Sequence, residues 1–124
     1  MIVLNATRNT VLSDQCRFAN SFWKRMVGLL NRREVDKGEG LLLDRCYGIH
    51  TFGMKFPIDI VCLDKNFVVL RTIAQLPPFR ACILNQAAFI VELPAGTLDR
   101  TQTIAGDQIH ISANKSNGGT ADVV

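Results

Sequence analysis

Cys46-Tyr-Gly-Ile-His-Thr-Phe-Gly-Met-Lys-Phe-Pro-Ile-Asp-Ile-Val-Cys-Leu-Asp64 is the stretch that decides the fold. Its second half, Ile58 through Leu63, is apolar and rich in β-branched residues. A short run of this kind, bounded by Pro57 and Asp64, reads as a strong strand. Pro57 cannot donate to a ladder and restricts Phe56 before it, so Gly53 to Pro57 reads as a turn. Asp64-Lys-Asn-Phe67 has the composition of a hairpin loop. Phe67 through Ile73 then follows as the antiparallel partner.

Outward from this hairpin the chain carries more short strand runs. Toward the N-terminus these are Ile2-Val-Leu4, Val11-Leu12, Gly40-Leu-Leu-Leu43 and Ile49 through Phe52. Toward the C-terminus, Pro77-Pro78 starts an extended connection, and Ala87 through Leu93 is a further strand closed by Pro94-Ala-Gly96. Thr97 or Asp99 opens a short helical turn. Gly106-Asp107 is a turn, with Asp107 as a turn residue, and Gln108 through Ser112 is a last strand. The segment 15–30 reads differently. Phe18, Ala19, Phe22, Trp23, Met26, Leu29 and Leu30 fall on one arc of roughly 140° at helical spacing. Ser13 or Asp14 can cap that helix. Gly28 near its end costs about 1 kcal/mol relative to alanine, which points to close packing or an early stop.

Strand runs dominate and do not alternate with helices, which excludes a doubly wound α/β fold. The expectation is a mainly β (α+β) protein. It is a compact, barrel-like antiparallel sheet of about seven or eight short strands with one flanking amphipathic helix. At 124 residues the size is that of one domain, expected over 1–112. A domain of this length buries about two-thirds of its unfolded surface and needs no metal or disulfide staple. Residues 113–124, rich in Asn, Gly, Ser and Thr, are expected to be disordered.

Apolar residues make up 48% of the chain and charged residues 20%, the balance of a globular protein. The net charge of +3 does not by itself indicate a nucleic-acid partner. Arg17, Lys24, Arg25, Arg32 and Arg33 form a basic face without acidic residues. Aromatic side chains fall on the other side of the expected helix, so the signal for nucleic acid is not strong. Cys16, Cys46, Cys62 and Cys82 form no C-x-x-C pair. No apolar run is long enough to span a membrane, and the first residues lack a leader pattern. A reducing, cytoplasmic setting with free thiols is therefore expected.

Candidate chemistry gathers in the opening stretch. Cys46 and His50 have a spacing that could supply two metal ligands, but a closed site needs two more, so no metal and no cofactor are expected. Asp59 inside an apolar strand must have partners: backbone N–H groups, Thr51 or Arg80. One reading has it pin the Gly53–Pro57 turn. Another has His50 and Asp59 line a polar pocket. Glu92, within Phe-Ile-Val-Glu-Leu-Pro, could pair with Asp59 for acid–base work or serve as a structural carboxylate.

Several motifs together resemble the family known as domain of unknown function 192. They are Gly28-Leu29-Leu30-Asn31-Arg32, Gly40-Leu41-Leu42-Leu43, Ile49-His50-Thr51-Phe52-Gly53-Met54-Lys55-Phe56-Pro57-Ile58-Asp59 and Cys62-Leu63-Asp64. Val91-Glu92-Leu93-Pro94-Ala95-Gly96 and Gly106-Asp107 complete the set, which spans about residues 3–112. The resemblance implies a small β-rich, barrel-like domain with a flanking helix, and no established activity. Many members carry a leader or membrane anchor, a feature not seen here. Met54, Lys55, Asp59 and Glu92 match the family pattern. His50-Thr51 belongs to a variant in which Phe-Gly-Met-Lys-Phe replaces a Trp-Met-Lys-Asn-Thr type of centre.

Three functional readings follow. The first is a non-catalytic ligand-binding or accessory domain. Its polar pocket near His50 and Asp59, with Thr51, Met54, Lys55, Arg80 and Glu92, would take a small polar or anionic ligand or a protein segment. The second is a small hydrolase-like enzyme using His50 with Asp59 or Glu92. The third is a weak nucleic-acid or anion binder acting through the Arg17–Arg33 face.

Overall fold

The computed structural model describes residues 1–19, 37–44, 48–51, 54–84 and 86–113. Ten strands and one short helix occur among them. They are β1 (Ile2–Asn5), β2 (Thr10–Ser13), β3 (Gln15–Ala19), β4 (Glu39–Asp44), β5 (Gly48–His50), β6 (Ile58–Leu63), β7 (Val69–Leu76), β8 (Ala81–Ile83), β9 (Phe89–Pro94), α1 (Thr97–Thr101) and β10 (Ile109–Ser112). One sheet has the order β10-β1-β2, a second β3-β4-β9-β6-β7, and β5 pairs with β8. β3 and β7 are the outer strands of the five-stranded sheet, so the protein is barrel-like without closing a ring. No helix among the described residues is long and apolar enough to cross a membrane.

Two strands go beyond the sequence reading. β8 lies in what reads as an extended connection, and β3 lies where the helix of 15–30 should begin. Gln15–Ala19 instead pairs in parallel with Glu39–Leu43 of β4. Ser13 does not cap a helix. Its Oγ donates to the Gly38 carbonyl at 2.7 Å, and the Asp14 and Gln15 amides donate to the same oxygen. The apolar arc at helical spacing starts only at Phe18, so Gln15 to Arg17 contribute nothing to it. A ladder offered by β4 supplies their backbone partners. Residues 20–30 of the expected helix, and the tail beyond Ala113, lie outside the described residues.

β6 is buried along its whole length. It lies between β9 and β7, so both its ladders are paired and both its faces are covered. Its alternating side chains therefore feed two cores. Val61 and Leu63 join Leu42, Val91 and Leu93, and pack against Val3, Leu12, Ile109 and Ile111 of the three-stranded sheet. Ile58, Ile60 and Cys62 point the other way, with Leu41, Leu43 and Ile90, onto Met54, Phe56 and Leu84. This double burial is why the run is continuously apolar rather than alternating.

The three-stranded sheet is closed by a buried polar network. Asp107 Oδ2 accepts from Asn5 Nδ2 at 2.9 Å, Arg8 Nε at 2.7 Å and the Ile104 amide at 3.1 Å. Asn5 also donates to Thr103 Oγ1 and accepts from the Arg8 amide. Burial alone would raise the Asp107 carboxyl. The donors of Asn5, Arg8 and Ile104, with the charge of Arg8, outweigh it and hold the group below its ordinary value. A carboxyl lowered in the fold stabilises above its unfolded value of about 3.9, and that contribution disappears as pH falls through the folded value. Urea denaturation across pH 7 to pH 2 should show wild-type stability falling below about pH 4. Asp107→Asn should be less stable at pH 7 and should change less across the acid range.

Candidate functional site

Asp59 is the buried charge of β6, 1% exposed. Its Oδ1 accepts from the Gln75 amide at 2.8 Å. Its Oδ2 accepts from the amides of Gly96 at 3.1 Å and Leu98 at 2.8 Å. The first contact sits at a bulge in β7. Ile58 pairs with Leu76 and Ile60 with Ile73, so Ala74 and Gln75 together oppose Asp59. The second and third cap α1 from another strand. The helix has no side-chain cap of its own and begins at Gly96, whose φ of 96° suits glycine. Asp59 thus pins the β7 bulge and the start of α1. Neither oxygen bonds to residues 54–57, the described part of the turn the sequence suggested it would pin.

Thr51 is fully buried and clamps the loop after β7. Its Oγ1 donates to the Pro77 carbonyl at 2.6 Å and accepts from the Arg80 amide at 2.9 Å. Its own amide donates to the Arg80 carbonyl at 2.8 Å. Thr51 and Arg80 therefore meet through Arg80's backbone. The Arg80 side chain is exposed, as is Lys55. Met54 is buried in the core beside Ile58 and Ile60. The backbone of His50 pairs with Ala81, and its side chain lies outside the described residues.

Glu92 is buried in β9 opposite Ile60, whereas Asp59 is opposite Leu93. Successive strand residues point to opposite faces, so Asp59 and Glu92 lie on different sides of the sheet. The carboxylate pair suggested by the sequence does not form. Glu92 borders a cavity of about 10 Å³, room for roughly one water, with Arg17, Glu39 and Ile58. Of the basic face, only Arg17 belongs to the described residues.

A larger cavity lies elsewhere. A cleft of about 260 Å³, partly open to solvent, is lined by Cys62, Leu70, Arg71, Ile83, Leu84, Gln86 and Ala87. Arg71 faces Cys62 across the β6–β7 ladder. Ile83 on β8 is 78% exposed and Leu70 43% exposed. Burial pushes the Cys62 thiol up to about 11; the Arg71 charge pulls it down and Cys82 pushes it further up. The thiol is therefore neutral near pH 7. Of these residues the sequence flags only Cys62, as one of several thiols. The others come from β7, β8 and the segment after it, and no spacing in the chain links them.

A family model described as "Uncharacterized ACR" matches residues 3–111. Relatives include a UPF0127 protein of Pyrococcus horikoshii, 31% identical over 112 residues that cover 87% of this chain and 96% of the relative. A UPF0127 protein of Pyrococcus furiosus is 31% identical over 111 residues, covering 86% and 95%. Two solved structures share the fold. One is a putative transcription regulator from Sinorhizobium meliloti, with TM-score 0.71, 20% identity and coverage of 88% of this chain and 89% of that one. The other is a protein of unknown function from Novosphingobium aromaticivorans, with TM-score 0.72, 19% identity and coverage of 88% and 81%. At these identities the likeness to the solved structures concerns architecture alone.

The Asp59 geometry makes a direct prediction. Asp59→Ala strands three backbone donors and should cost about 2–4 kcal/mol in urea denaturation. Lys55→Ala, at an exposed position, should stay within about 0.5 kcal/mol of wild type.

Proposed function

The chain belongs to the DUF192 family, and from that premise we propose that it is a non-catalytic binding module. Its ligand lies in the cleft formed by Cys62, Arg71, Ile83 and Gln86. Residues 1–112 act as the binding unit. One observation carries this reading. Both oxygens of Asp59 are already taken by backbone amides of Gln75, Gly96 and Leu98. A carboxylate so committed is scaffold, and the pocket expected around His50 and Asp59 moves to the cleft beside β7 and β8. The cleft combines apolar walls with a few polar groups, as small-molecule sites do. Its volume of about 260 Å³ is just below the roughly 300–1,000 Å³ of such sites, which favours a compact ligand.

The test is a pair of compact probes, benzyl alcohol and benzoate, followed by amide chemical shifts in the full chain. At least one of them should shift the amides of Leu70, Arg71, Leu84, Gln86 and Ala87 and leave those of Gln75, Gly96 and Leu98 in place. Shifts centred on Thr51, Met54 and Asp59, or no shift with either probe, would overturn the assignment.

A further inference from the structure

We propose that the cleft selects a small monocarboxylate, with the carboxylate on Arg71 and the apolar body against Leu70, Ile83 and Leu84. The inference rests on the reading that this cleft is the ligand site, and it adds the chemical class of the ligand.

The argument begins with charge. Asp107 is balanced by Arg8. Among the described residues the Arg71 side chain makes no hydrogen bond or ion pair. Among the described residues no acidic side chain lines the cleft, and the Cys62 thiol opposite Arg71 stays protonated near pH 7. The described lining therefore presents one uncompensated positive charge. A guanidinium offers two parallel N–H donors that match the two oxygens of a carboxylate. The Gln86 amide, on the same cleft, supplies further donors. One cation balances one negative charge. A dianionic phosphate monoester would leave a charge unmatched beside apolar walls.

Shape and polarity restrict the rest of the ligand. Leu70 and Ile83 leave apolar surface in water at the cleft, and covering it is favourable. A cleft of about 260 Å³ takes a body of about one ring or a short acyl chain, below the size of typical drug-like ligands. A charged head on an apolar body of that size is an amphipathic monocarboxylate.

The experiment compares benzoate, benzyl alcohol and phenyl phosphate on the full chain, wild type and Arg71→Met, by amide-shift titration. Benzoate should bind wild type about tenfold more tightly than benzyl alcohol, the size of one charge-assisted hydrogen bond. Arg71→Met should abolish that preference and leave benzyl alcohol binding unchanged. Arg71 is exposed, so the variant keeps its core, and its amide spectrum checks this. Equal binding of benzoate and benzyl alcohol at the cleft would overturn the carboxylate inference and leave the cleft as ligand site. Tighter binding of phenyl phosphate than benzoate would also overturn it. Binding of none of the three would remove the cleft reading itself.

Discussion

A single carboxylate joins three parts of the backbone that are far apart in the chain. Asp59, within β6, accepts from the amides of Gln75 in β7 and of Gly96 and Leu98 at the start of α1. A buried, unpaired carboxylate would cost several kcal/mol, so all three segments are stabilised together by this anchor. The bulge in β7 and the helix that follows β9 both depend on that anchor. The stretches Ile58-Asp59 and Leu93-Pro94-Ala95-Gly96 meet in this contact. One supplies the acceptor and the other the donor and the glycine that can present it.

The anchor sits in a strand that divides the molecule into two cores. Side chains of β6 reach Val3, Leu12 and Ile111 on one side and Met54, Phe56 and Leu84 on the other. Asp59 belongs to the first side and Glu92 to the second, and this separation removes the acid–base pair from consideration. A second polar device, Asp107 with Asn5, Arg8 and Thr103, holds the three-stranded sheet in the same manner. Asp59 and Asp107 are thus mortar between segments.

Chemistry that is not committed to the scaffold collects where β7, β8 and the segment after β8 meet. Arg71 carries a charge that no carboxylate in the described residues balances, next to exposed Leu70 and Ile83. An apolar wall beside a cation is the pattern that the proposed amphipathic monocarboxylate would complement.

By itself the sequence determined the mainly β class, the central strand Ile58–Leu63, the short helical turn at Thr97 and the Gly106-Asp107 turn. These are set by local composition and side-chain alternation, which a linear reading can see. It also singled out Asp59 as a buried charge that must have partners, because a carboxylate in an apolar run cannot stay unpaired. It could not say which partners. Gln15–Ala19 became a strand because β4 offers a ladder more than twenty residues away in the chain, and a helical arc that starts only at Phe18 does not compete with it there. Asp59 became a cap for a helix that begins at Gly96, since only strand pairing brings the two together. The cleft exists because β6, β7 and β8 converge, and no local pattern in any of them records the others. Register and packing are long-range decisions, and only the tertiary structure makes them.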